Sequence, residues 1–218
     1  NDGFTRLYKK AKNRFADKIV LFNGIADHEF VRNRSLDTLD VLDFALNEDF
    51  CFKRSGRLDK SVILEDIKIM QDYAGKGKTI LQKTNHPLEW DDDPGFIKTR
   101  DNTARFCFGA FLLGYEPGRS FYKFGHGYGV SYGSDYYKDE IKENALEINL
   151  DLGTPVKPYE YDGEIYKRKF QRAWVLVNLD DREKRVKLWR DEWKQGVVLL
   201  NGGVQTTKVY PDGNISIK

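Results

Sequence analysis

Near residue 144 the hydrophobic rhythm of this chain changes, and that change limits the fold more than any single motif. Before it, helical patterns alternate with short, wholly apolar segments. "FTRLYKKAKNRFA" sets Phe4, Leu7, Tyr8, Ala11 and Phe15 at helical spacing, with lysine and arginine on the other face. "KIVLFNG" reads as a strand halted by Asn23-Gly24, "SLDTLD" as a short helical turn, and "VLDFALNEDF" as the next strand. "DKSVILEDIKIMQDYAGKG" places Val62, Ile63, Ile67, Met70 and Ala74 along a helix that Gly75 and Gly77 stop. "KTILQKTNHP", closed by Pro87, is a third strand; "TRDNTARFCFGAFLLG" is a third helix; "RSFYKFG" is a fourth strand. Such alternation predicts parallel strands covered by helices, near 18–22, 41–46, 79–82 and 120–124. After residue 144, "EIYKRKFQRAWVLVNLDDREKRVKLW" alternates with period two, and "KVYPDGNISIK" reads as a hairpin turning at Pro-Asp-Gly. A small antiparallel β appendage is expected there.

Composition narrows the partners. The 218 residues suffice for one large domain, or one with a small appendage, and 40% apolar side chains supply a core. Basic and acidic residues, 36 against 34, are interspersed, so no cationic stripe marks nucleic acid as the main partner. No apolar run approaches the roughly 18 residues of a membrane span. The start at Asn1 rather than Met fits either a removed leader, and so secretion, or a piece of a longer protein. Cys51 and Cys107 are expected as buried free thiols rather than a disulfide. His28, His86 and His126 stand too far apart for zinc-type spacing, and no metal or other cofactor is expected.

Each strand of the first part ends in polar residues. The first ends in Asn23, the second in Asn47, Glu48 and Asp49, the third in Lys83, Thr84, Asn85 and His86, the fourth in Lys123 and His126. Ligands of parallel α/β folds lie beyond the carboxyl ends of the strands, so these residues form a candidate site. Taken singly, each is also what an ordinary polar loop contains. Glu48 and Asp49 are the candidate catalytic carboxylates, and strand parity sets Glu48 opposite Asn47 and Asp49. The aromatic, glycine-rich segment 122–137 reads as a loop whose rings, Tyr122 and Tyr128 among them, present flat faces to sugar rings or plug a core. Asn23, Asn47, Lys83, Asn85, His86, Tyr122, His126 and Tyr128 are the candidate binding residues.

The segments "DFALNEDF", "LEDIKIMQDYAGKGKTIL", "ARFCFGAFLLG", "LGTPV" and "KRKFQRAWVLVNLDD" resemble, in that order, the C-terminal part of glycosyl-hydrolase-like TIM barrels. Such proteins carry Asp-Gly-x-x-x-Glu-x-Phe on a strand, matched by Asp43, Glu48 and Phe50 with Phe44 in place of the glycine. They close with Arg-x-Phe and an apolar strand ending Val-Asn, matched by Arg168, Phe170, Val177 and Asn178. The resemblance implies a sugar-cleaving or sugar-binding barrel in which Glu48 is a catalytic carboxylate.

A complete (β/α)8 barrel needs eight strands and about 250 residues. The rhythm here supplies four βα units, so the expectation is a half TIM barrel over 1–143 followed by an antiparallel appendage over 144–218. A missing half, from this protein or another chain, would bring the second carboxylate; Asp2 is the one acidic residue near the break. Two functions follow from the resemblance. One is a glycoside hydrolase acting on a polysaccharide; the other is a non-catalytic carbohydrate-binding or structural assembly protein on the same frame.

Overall fold

The computed structural model describes residues 2–25, 36–53, 56–86, 94–126, 152–180, 182–187, 197–199 and 214–217. They fall into two compact units. One comprises residues up to Asn85 with Gly114–Lys123, the other His86–Leu113 with Phe124 onward.

The first unit begins with helix α1 (Asp2–Arg14), whose last turn carries Lys12 and Arg14, the sign that a helix carboxyl end favours. Strands β1 (Leu21–Ile25), β2 (Phe44–Asn47), β5 (Thr79–His86) and β6 (Ser120–His126) lie side by side in that order as a parallel sheet. The α/β expectation holds, and so do the four strand positions within a few residues. Between β2 and β5 the chain forms a two-stranded ribbon, β3 (Phe52–Lys53) with β4 (Gly56–Arg57), and then helix α2 (Lys60–Gly75). Gly77, at φ +77°, gives α2 the left-handed stop that a side chain resists. Its N–H bonds the Ala74 carbonyl at 2.9 Å.

Alternation along the strands separates two faces. Phe44 and Leu46 are half-buried while Ala45 and Asn47 are buried, and β5 repeats this with Thr79, Leu81 and Lys83 against Ile80, Gln82 and Thr84. Register aligns the sets, Phe44 opposite Thr79 and Asn47 opposite Gln82. The buried set marks the closed face, and α2 likewise buries one side, where Ile63, Ile67 and Met70 have no exposure. Each such side chain stabilises by about 1.5–3 kcal/mol. The other face is open and apolar through Leu21, Phe44, Leu46, Leu81 and Phe121, with Leu21 47% and Phe121 49% exposed.

Helix α3 (Pro94–Gly114) starts five residues ahead of its expected beginning at Thr99, with proline at its first position, where a missing N–H costs nothing. Gly114 is required by close approach. A Cβ there would lie 2.5 Å from Met70 Cε and 2.9 Å from Ile67 Cγ2.

In the second unit, β7 (Glu160–Tyr161), β8 (Tyr166–Lys169) and β9 (Trp174–Val177) are antiparallel neighbours, as the period-two pattern predicts. Strand β10 (Lys184–Lys187) pairs antiparallel with β12 (Asn214–Ile217), while β11 (Val197–Leu199) joins β9 in parallel. That parallel pair departs from a purely antiparallel appendage. Its cause is position: β9 is central, all four of its residues are buried, and its second edge must be covered. The first arm of the expected Pro-Asp-Gly hairpin lies outside the described residues. Arg168, 2% exposed, donates through one guanidinium nitrogen to the Leu112 and Leu113 carbonyls at 3.2 and 2.9 Å, and its Nε donates to the Lys157 carbonyl. A cation thus closes the carboxyl end of α3. Asn178 ends β9 by accepting the Asp180 N–H at 2.9 Å and donating to the Arg182 carbonyl at 2.7 Å. Both free cysteines, Cys51 and Cys107, are buried.

Candidate functional site

Strand β2 ends at Asn47, and the next four residues turn across the carboxyl end of β5. The Phe50 N–H bonds the Lys83 carbonyl at 3.0 Å, and Thr84 Oγ1 donates to the Phe50 carbonyl at 2.8 Å. The Phe50 ring is fully buried, edge-on to Tyr122 at 6.4 Å between centroids. The Tyr122 hydroxyl closes the set on Thr84 Oγ1 at 3.2 Å. Cys51 follows at φ +63°, a backbone region costly for a residue with a side chain, and its carbonyl accepts the Leu58 N–H at 2.9 Å. The turn that carries Glu48 is therefore pinned on both sides and holds strain.

Glu48 projects toward the open face. Its Oε1 accepts from Lys83 Nζ at 3.2 Å, with the two side chains 23% and 17% exposed. Lys83 belongs to the same face as Leu81 and Thr79, one rung beyond the Asn47–Gln82 pair. Beside it stands β6: the Ile80 N–H bonds the Arg119 carbonyl at 2.9 Å, which in a parallel ladder sets Ile80 opposite Ser120 and Lys83 opposite Lys123. Asn23 lies opposite Leu46 on this face and is exposed.

Of the residues anticipated from sequence, Asn23, Glu48 and Lys83 therefore share the open face at the carboxyl edge. Asn47 lies on the closed face, 2% exposed, as expected from its parity against Glu48. Asp49 follows in the turn, its N–H donating to Asn47 Oδ1 at 3.3 Å. Tyr122 lies on the closed face with Thr84. The side chains of Asn85, His86 and His126, and residue Tyr128 as a whole, lie outside what is described, as does Asp2's side chain. Asp43, the other acidic residue of the strand motif, is at the opposite edge. Five residues of extended chain separate it from Glu48 by about 16 Å, beyond the roughly 5–9.5 Å that separates paired glycosidase carboxylates.

Sequence reading missed Phe50 and Thr84 as the parts that fix the Glu48 turn, and Gln82 as a buried polar neighbour of Asn47. Among the described residues, Asn47 Nδ2 and Gln82 Oε1 have no hydrogen-bond partner. Parity along "KTILQKTNHP" carried a signal for both polar residues, since Gln82 and Thr84 alternate with Leu81 and Lys83. Comparison with curated proteins gives no match. Residues 1–174 match the profile of a family described as "Hypothetical glycosyl hydrolase family 15".

Proposed function

We propose, from the premise that this chain belongs to hypothetical glycosyl hydrolase family 15, that it acts on glycosidic bonds of a polysaccharide with Glu48 as one of two catalytic carboxylates. The observation that carries this reading is Glu48 itself. It stands at the carboxyl end of a parallel strand, turned to the open face, on a turn held by Phe50, Thr84 and Tyr122. Glycoside cleavage uses a proton donor and a nucleophile or base on either side of the bond. Apolar surroundings make the donor in this class of enzyme. Glu48 instead meets an ammonium, so we assign it the nucleophile or base and leave the donor to a second carboxylate.

That second group belongs, in this reading, to further barrel strands. Among the described residues β1 and β6 are the sheet's edges, and Leu21 and Phe121 on those edges leave apolar surface open. Phe4 and Leu7 on α1 are likewise exposed. Such surface fits a half barrel over 1–143 whose lumen other strands would fill, with an appendage from 144. The stacked Phe44 and Phe121 rings, 6.4 Å apart, form an aromatic floor to that lumen.

One observation favours the second reading, a non-catalytic glycan-binding protein on the same frame: the carboxylate of Glu48 is already engaged by Lys83. Replacing Glu48 by Gln decides between them. Loss of hydrolysis with glycan binding retained supports catalysis, whereas binding without hydrolysis by the wild-type chain supports the second reading.

A further inference from the structure

The carboxyl edge of the sheet carries a rung of charge across three neighbouring strands: Glu48 beyond β2, Lys83 on β5 and Lys123 on β6. Adjacent strands are about 4.8 Å apart, and like charges directly opposite each other destabilise a sheet. A lysine beside a lysine is therefore tolerated for a reason. Glu48 offsets Lys83, whose side chain is largely withdrawn from water. The Lys123 side chain is exposed, and among the described residues it has no hydrogen-bond or ion-pair partner. Among the described residues, these three positions set two ammonium groups beside one carboxylate. The exposed Lys123 ammonium, one strand over from Lys83, faces the open side, above the apolar floor of Phe44, Leu81 and Phe121.

We infer that this rung is a subsite for an acidic substituent of the glycan, so that the substrate class is a polysaccharide bearing carboxylate or sulfate groups. The inference rests on the reading of this edge as a sugar site and adds what the sugar carries. An anion between Lys83 and Lys123 removes the like-charge repulsion, and Lys ammonium groups act as point charges that accept either acid. A neutral sugar leaves that repulsion in place and sets a hydroxyl where a charge fits. Because the anion is drawn by charge on a solvent-open face, its binding weakens with salt.

The test uses the intact chain and three hexasaccharide probes, an oligogalacturonate, a sulfated galactan fragment and cellohexaose, titrated by calorimetry at low and high salt. The expected result is at least tenfold tighter binding of one acidic probe than of cellohexaose, with that margin shrinking at high salt. Which acidic probe binds identifies carboxylate or sulfate. Lys123→Gln should weaken the acidic probe about tenfold and Lys123→Arg should keep it. Lys68→Gln, which removes the same charge from the exposed face of α2, should change nothing. Equal binding of acidic and neutral probes, or acidic binding indifferent to Lys123→Gln, overturns the acidic subsite while the hydrolase reading stands on Glu48→Gln. Failure of every probe to bind, together with no hydrolysis of any of them, overturns the sugar reading and the subsite with it.

Discussion

The two edges of the parallel sheet are made of similar residues and solve opposite problems. At the amino edge the charges flanking the strands are tied down. Asp43 accepts from Lys12 and from the Val20 N–H, Lys78 donates to the Leu42 and Asp40 carbonyls at 2.7 and 3.1 Å, Lys76 pairs with Asp40, and Arg119 donates to the Gly77 carbonyl. At the carboxyl edge, one atom in each of two buried amides, Asn47 Nδ2 and Gln82 Oε1, lacks a partner among the described residues, two lysines stand side by side, and Cys51 holds a strained backbone. Satisfied polar groups stabilise a frame, whereas unsatisfied and strained ones cost stability and persist where something else is gained. That asymmetry is what the proposed function expects of a parallel α/β sheet, stability at one end and the candidate site at the other. It also sets Asp43 and Glu48, five positions apart in one motif, at opposite edges of the sheet.

The comparison is sharpest in a pair of substitutions that keep shape and remove one charge. Glu48→Gln should lower hydrolysis by about 10²- to 10⁴-fold, the contribution of a positioned acid–base group, with little change in melting temperature. Asp43→Asn should do the reverse, lowering the melting temperature and leaving turnover per folded molecule intact. Assaying both variants on one substrate beside their melting curves checks this. Equal activity losses would break the division between the edges.

Next in size is Phe50→Ala. The ring is fully buried against Tyr122, and truncating a buried phenylalanine costs about 3–5 kcal/mol. Chemical denaturation should show that loss. Because Phe50 anchors the turn bearing Glu48, activity should fall further than the unfolded fraction accounts for.

Thr84→Val is the milder version. It strips the donor from the Phe50 carbonyl and the acceptor from the Tyr122 hydroxyl while nearly preserving volume. A buried carbonyl left without its donor costs about 1–3 kcal/mol, which denaturant midpoints at constant slope will register. A change below about half a kcal/mol would show that water replaces the hydroxyl and that the turn is less tightly held than its geometry indicates.

How much of this was legible beforehand follows from the reach of each interaction. Strands and helices were legible because period is a local property: Phe44, Leu46 and Ile63, Ile67, Met70 announce their faces within a few residues. Parity also separated Glu48 from Asn47 without any structure. What could not be read were the partners. Lys83 lies 35 residues from Glu48, and Arg168 reaches the Leu113 carbonyl across 55. Arg168 and Asn178 were known only as parts of a resemblance, and the fold gives them physical work, one capping α3 and the other ending β9. The parallel seat of β11 depends on which edge of β9 was left uncovered, and no local pattern records that.

The smallest expected effect tests the amino edge alone. Burial raises the proton affinity of the Asp43 carboxyl. Its bond from Lys12, the Val20 N–H and the charges of Lys12 and Lys78 outweigh that, and the group is held below its ordinary value of 3.8. A carboxyl depressed in the folded state adds stability that is fully present above its unfolded value and disappears as pH falls through the folded one. The Asp43 contribution should therefore be constant near neutrality and fade from about pH 4 downward. Since the side chain is 37% exposed, solvent screening limits the effect to less than about 1 kcal/mol. Denaturation of wild type and Asp43→Asn between pH 7 and pH 3 should give stabilities that converge toward the acid end. A gap that stays constant over that range would mean that Asp43 contributes through the shape of its hydrogen bonds rather than its charge. The amino edge would then be a neutral scaffold, not the charge-locked counterpart of the site at the other end.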